Sequence, residues 1–171
     1  MIVALCGASG SGKSTVAELA EKELGLRKAL KCTTRKKRND QDTDYVFTDE
    51  TGFFEKVRRG ELIEFVYYHG NFYGILTPQD DCLVNCEPTG SVHVRKWAFT
   101  HGVPCKLVYL DCPEEVRKSR MTGRGDFVQS VEERLAADRY FEVFKPGFDA
   151  VIDASGTPQE TFERLRAALG R

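Results

Sequence analysis

No apolar run in this chain of 171 residues reaches the length of a membrane-spanning helix. No stretch has the basic, apolar and small-residue succession of a secretory leader, and Met1 runs straight into an apolar strand. The chain is therefore expected to be cytoplasmic, with no membrane partner. Neither sign of charge prevails: 25 Lys and Arg against 26 Asp and Glu leave a formal net charge of −1. A general nucleic-acid binder would show a basic excess, so nucleic acid is not the expected partner. The six cysteines (6, 32, 82, 86, 105 and 112) include no C-x-x-C pair, and no His or Cys pair has zinc-site spacing. Most lie in apolar runs and read as reduced core thiols. Repeats and low-complexity tracts are missing, which excludes solenoids and linker-rich arrays.

What remains is the composition of an ordinary globule, 41% hydrophobic and 30% charged, long enough for one domain with a full core. Its most informative stretch comes first. The apolar segment Met1-Ile2-Val3-Ala4-Leu5-Cys6 leads into Gly7-Ala8-Ser9-Gly10-Ser11-Gly12-Lys13-Ser14, a G-x-x-x-x-G-K-[ST] phosphate loop. Glycines there let successive backbone N–H groups converge on an anion. Lys13 adds a point charge, Ser14 offers a hydroxyl to Mg²⁺, and the following helix turns its positive end toward the phosphates. Val16, Leu19, Ala20 and Leu24 fall near one face of that helix, so the flanks suit a strand–loop–helix unit. Ser9, Gly10, Ser11, Gly12, Lys13, Ser14 and Thr15 are the expected ATP-binding residues.

Apolar runs then alternate with helical patterns, the signature of βα units and a mainly parallel sheet. Strands are expected at 2–6, 29–33, 82–86, 105–110 and 149–153, and helices at 13–24, 91–101, 113–121, 129–144 and 158–169. The region from about 45 to 75 breaks the rhythm. It contains Tyr45-Val46-Phe47, a short helix near 49–58, Glu61-Leu62-Ile63-Glu64-Phe65-Val66-Tyr67-Tyr68 and Gly70-Asn71-Phe72-Tyr73-Gly74, and reads as a small antiparallel insertion.

Thr33-Thr34-Arg35-Lys36-Lys37-Arg38 follows the second expected strand, placing two arginines three residues apart where they can clamp one phosphate. Alone, such a run reads equally well as a solvated loop. It is followed by Asp44-Tyr45-Val46-Phe47, Ile63-Glu64-Phe65, Gly70-Asn71-Phe72-Tyr73-Gly74, Gly123-Arg124-Gly125 and Arg134-Leu135-Ala136-Ala137. With the phosphate loop, this ordered set resembles the guanylate kinase family from residue 2 to about 153. T-T-R-x-x-R and G-N-x-Y-G are its most specific parts.

The resemblance implies an α/β P-loop kinase fold: a central, mainly parallel sheet flanked by helices, with a strand-rich monophosphate-binding insertion and a short lid. It implies one domain over 1–171, with the core at 1–33 and 82–171, the insertion at about 34–80 and the lid at about 120–134. Arg35, Arg38, Tyr45 and Tyr73 match positions that hold the monophosphate. Glu64 matches the carboxylate that reads guanine, whose N1–H and N2 amino group are adjacent donors for an ionised acceptor. Glu87 matches an acidic position suited to Mg²⁺, directly or through water, beside Ser14. Arg120 and Arg124 match the lid over the ATP phosphates, and Arg134 a helix arginine that reaches the transferring group. ATP and Mg²⁺ are thus the implied cofactors.

Four departures bear on the base rather than the reaction. Lys31 replaces a small hydroxyl residue that helps read guanine, and Ile75 stands where Ser or Thr follows G-N-x-Y-G. The link from Arg38 to Tyr45 is shortened, and the helix after the insertion is reduced to Thr77-Pro78-Gln79-Asp80-Asp81. The expected reaction is ATP + (d)GMP ⇌ ADP + (d)GDP, with Lys13, Arg35, Arg38, Arg124 and Arg134 as catalytic residues and Lys31, Glu64 and Glu87 among the substrate contacts. The acceptor oxygen is already anionic, so no general base is required of His69, His93 or His101. A kinase of the same fold acting on another or a modified mononucleotide, or on another small phosphorylated acceptor, is the alternative. A non-catalytic interaction module fits less well with Lys13 and Ser14 intact. Monomer and homodimer both remain open.

Overall fold

The computed structural model describes residues 1–37, 45–68, 70–78 and 81–171. Among them the elements run β1 (Ile2–Gly7), α1 (Lys13–Leu24), β2 (Arg27–Lys28), β3 (Lys31–Thr33), β4 (Tyr45–Phe47), α2 (Glu50–Arg58), β5 (Leu62–Tyr68), β6 (Asn71–Leu76), β7 (Cys82–Asn85), α3 (Pro88–Thr100), β8 (Cys105–Asp111), α4 (Glu114–Gly123), α5 (Val128–Asp138), a 3₁₀ segment (Arg139–Gly147), β9 (Ala150–Asp153) and α6 (Pro158–Leu169).

A five-stranded parallel sheet in the order β2-β7-β1-β8-β9 forms the centre. β1 is buried along its whole length, because helices cover both faces and parallel strands so enclosed need no polar side. Its residues divide by alternation. Val3 and Leu5 pack with Val16, Ala20, Phe162 and Leu165 of α1 and α6. Ile2 and Ala4 pack with Val94 and Ala98 of α3. α6 is held at its start by a capping box between Thr157 and Glu160.

The second sheet has four strands in the order β4-β3-β6-β5. α2, capped by Asp49 on the Gly52 amide, packs one of its faces through Phe53 and Phe54 against Phe65 and Phe72. The opposite face looks toward the carboxyl ends of the central strands.

Three expectations need correction. Of the strand expected at 29–33 only Lys31–Thr33 forms, as β3 of the small sheet, while the preceding strand of the central sheet is β2 at Arg27–Lys28. Ala29 still donates to Leu83 of the central sheet, whereas Leu30 accepts from Leu76 of the small one, so the chain changes sheets between them. The insertion is not wholly antiparallel, since β3 and β4 pair parallel; that pairing is non-local and carries no hairpin-turn signal. The helix expected at 129–144 ends at Asp138 and tightens to 3₁₀ geometry, with Pro146 unable to continue the ladder. Smaller shifts affect the ends: α3 begins three residues early because Pro88 suits a first helical turn.

Candidate active site

The phosphate loop leaves the buried end of β1 and turns into α1 through two left-handed glycines, Gly10 (φ 79°) and Gly12 (φ 93°). Ser9 through Val16 line a cavity of about 450 Å³, together with Arg120, Arg124, Arg134, Pro158 and Thr161. Every expected ATP-binding residue is therefore in one place. Lys13 Nζ donates to the carbonyls of Gly7 (2.6 Å) and Ala8 (2.9 Å), which fixes the ammonium beside the loop. Burial lowers its pKa, opposed by the negative charges of Asp138 and Glu87.

The loop also has a support that the sequence did not announce. The Ser9 amide donates to Asp138 at 2.6 Å, and Asp138 pairs with Arg117 at 3.5 Å. Arg117 in turn donates to the carbonyls of Ser9 and Cys112. Both partners are only 9% exposed at the side chain, so an arginine on a charged helix and the last residue of α5 meet against the loop at Ser9, lining a second cavity there.

Of the arginines expected in a lid, Arg120 donates to the carbonyls of Ala154, Ser155 and Gly156, tying α4 to the loop after β9 while still lining the cavity. Arg124 and Arg134 converge on Asp126, with donor distances of 2.6 Å and 3.1 Å to the same oxygen. Hydrogen bonding from Arg124, then the charge of Arg134, holds the Asp126 carboxyl below its ordinary pKa. Two guanidinium groups on separate helical segments thus meet over the phosphate cavity.

The insertion presents its polar residues by register. Tyr45, Lys31, Ile75 and Glu64 form one row across the sheet, and Phe47, Thr33, Tyr73 and Val66 the row two residues on. Since alternate residues share a face, Lys31, Tyr45, Glu64 and Tyr73 all lie on the face turned toward the central sheet. Arg35 sits 5.5 Å from the Tyr45 ring centroid, and Tyr45 lies edge-on to Tyr73 at 6.1 Å. The three expected monophosphate contacts among the described residues are therefore adjacent. Arg38 lies outside the described residues, as does His69.

At the other end of the first row, Glu64 meets the first turns of α3. His93 Nδ1 lies 2.7 Å from Glu64 Oε2, and Gly90 leaves room for Oε1. Lys31 Nζ donates to the Asn85 carbonyl at 3.0 Å, bringing β3 against the end of β7. Asn85 Oδ1 is buried without a hydrogen-bond partner. Just behind, Cys6 and Cys86 approach to 3.4 Å between sulfurs; this contact and burial push the Cys86 thiol well above its ordinary pKa, keeping it protonated.

For a divalent cation, Ser14 would offer a hydroxyl from the cavity lining, whereas Glu87, at the start of α3, is not among the residues that line that cavity. Among the described residues no group of three or more His, Cys, Asp or Glu could hold a metal ion. Sparse hard oxygens beside a phosphate site fit Mg²⁺, which keeps waters and borrows phosphate ligands. Arg117, Asp126, Asp138 and the His93 contact were missed from sequence: isolated charges on helices carry no local signal of what they meet.

A glycine-rich loop between a buried parallel strand and a helix, roofed by arginines, defines a P-loop nucleotide-binding protein, and the AAA domain family matches residues 3–140. Guanylate kinase of Chlorobium chlorochromatii (strain CaD3) is 30% identical over 164 residues, covering 88% of this chain and 85% of that protein. That of Fusobacterium nucleatum subsp. nucleatum is 36% identical over 157 residues, covering 85% and 83%. The chain belongs to the guanylate kinase family. The crystal structure of guanylate kinase from Anaplasma phagocytophilum shares the fold, with a TM-score of 0.69 at 23% identity, covering 99% of this chain and 84% of that one. No helix among the described residues is long and apolar enough to cross a membrane.

Proposed function

We propose that the chain transfers the γ-phosphoryl group of ATP to GMP or dGMP, giving ADP and the diphosphate. The observation that carries this reading is the single sheet face on which Tyr45, beside Arg35, shares a row with Glu64 while Tyr73 lies in the adjacent row. A monophosphate held at the Arg35 end leaves its base at the Glu64 end. Arg38 joins Arg35 on the acceptor phosphate, and the segment from about 34 to 80 acts as the acceptor-binding insertion.

Loop amides and Lys13 hold the β- and γ-phosphates, with Ser14 and Glu87 holding Mg²⁺, which supplies charge neutralisation when bound. Arg124 and Arg134 leave Asp126 for the transferring group as charge spreads onto its equatorial oxygens. The acceptor oxygen needs no deprotonation, so rate comes from in-line positioning and exclusion of water by the insertion and the lid at about 120–134. Ionised Glu64 accepts from guanine N1–H and N2–H. Lys31, in the same row, donates toward the O6 edge.

The test is coupled ADP release with ATP·Mg²⁺ and a panel of ribo- and deoxymononucleotides. Guanine-selective turnover, reduced at least ~100-fold in Glu64→Ala, is expected from the loss of two charge-assisted hydrogen bonds. Turnover confined to another base, or to no mononucleotide, would overturn the assignment.

A further inference from the structure

We propose that His93 is a positioning residue that sets base specificity by fixing Glu64, acting with Gly90 one helical turn before it. This rests on Glu64 being the base reader. Glu64 lies on β5, at the edge of the small sheet, beside a register irregularity between Leu62 and Glu64. A glutamate there has three rotatable bonds, and the strand alone does not choose among its rotamers.

α3 makes the choice. His93 Nδ1 stands 2.7 Å from Oε2; against an ionised carboxylate the ring must carry its proton on Nδ1. On the other oxygen, a methyl group added at Gly90 would come within 2.7 Å of Oε1. One residue thus pulls the carboxylate and the other makes room for it. They project from the same helix face at i and i+3. A carboxylate has about four lone-pair directions, so a single bond to His93 leaves acceptors on both oxygens for two adjacent base donors. The Glu64 side chain is 16% exposed and that of His93 59%, so the reader is confined while its holder borders solvent. Truncating His93 removes little packing, and a loss of function on truncation reports on Glu64.

Without His93, Glu64 is free to rotate, and bidentate contact with N1–H and N2–H costs additional ordering. The effect belongs to recognition of the base, not to the phosphates. The experiment is steady-state kinetics of His93→Ala, His93→Asn and Gly90→Ala with GMP and with inosine monophosphate, which lacks the N2 amino group. For His93→Ala the KM for GMP is expected to rise about ten-fold, from loss of one hydrogen bond to a charged group. The preference for GMP over the inosine nucleotide is expected to fall, while kcat, the KM for ATP and the thermal midpoint hold. His93→Asn places an amide N–H near the Nδ1 position and should restore most of the affinity. Gly90→Ala should reproduce the His93→Ala pattern by pushing Oε1 away.

An unchanged KM for GMP in both His93→Ala and Gly90→Ala overturns the inference while leaving Glu64 as reader. A parallel rise in the KM for ATP also overturns it, marking a general structural role. A wild-type chain that turns over no guanine nucleotide removes the reader itself, and this inference with it.

Discussion

Replacing Asp138 by alanine tests whether the phosphate loop is held from beneath. The substitution removes the acceptor of the Ser9 amide at 2.6 Å and the counter-charge of Arg117, with both side chains only 9% exposed. Breaking a buried pair from one side typically costs about 3–5 kcal/mol, because the remaining charge stays buried. Arg117 keeps its bonds to the Ser9 and Cys112 carbonyls, which places the loss near the lower end, about 3 kcal/mol. For 171 residues the unfolding entropy is about 0.36 kcal/mol per kelvin, so the thermal midpoint should fall by roughly 8 °C. Adding Arg117→Met should recover part of that loss, since the second substitution removes the stranded charge. The assay is thermal unfolding of the two single variants and the double variant, with the KM for ATP measured alongside; the KM should rise in Asp138→Ala as the Ser9 amide loosens. A midpoint shift below about 2 °C, or a double variant destabilised by the full sum of the singles, would refute the account of a coupled support.

Two other outcomes follow from the same loop. Burial lowers the Lys13 pKa, so between that lowered value and the ordinary 10.5 the unfolded chain binds more protons than the folded one. Stability attributable to Lys13 must then rise with pH through that window, and the midpoint of the wild type relative to Lys13→Met should climb as pH approaches 10.5; a flat or falling difference contradicts the burial. Gly10→Ala and Gly12→Ala both force a side chain into left-handed backbone, about 1 kcal/mol each, but only at Gly10 would the new carbon meet backbone, the Arg117 carbonyl at 2.8 Å. Gly10→Ala should therefore lower both stability and ATP affinity more than Gly12→Ala, measured by unfolding and by nucleotide titration, and equal effects would contradict the close approach.

Much of the site was legible in the chain because its chemistry is local. Contiguous residues make the phosphate loop, so Gly7 through Thr15 announce an anion site before any fold is known. The aromatic and β-branched runs at 61–68 and 70–74 announce strands, and the backbone period of two then says which of their residues share a face. The apolar run Ile2–Cys6 announces a buried strand. Each of these signals is carried by neighbours within one or two turns or one strand.

What the chain alone left open depends on distant partners. Lys28 and Lys31 belong to different sheets, although only Ala29 and Leu30 separate them, because pairing with Leu83 and with Ile75 is decided by non-local hydrogen bonds. Asp138 ends a helix early and enters the loop's support only because the fold brings it to the Ser9 amide, 129 residues away in the chain; its charge among other helix charges says nothing of that. Arg124 and Arg134 share Asp126 only because the chain turns between α4 and α5, and His93 meets Glu64 from a helix beyond the next two strands. Sequence determined the chemical groups and the faces they occupy, since covalent spacing and backbone period suffice for that. Only the tertiary structure decided which of those groups touch, because side-chain contacts between elements exist only once the sheets and helices have packed.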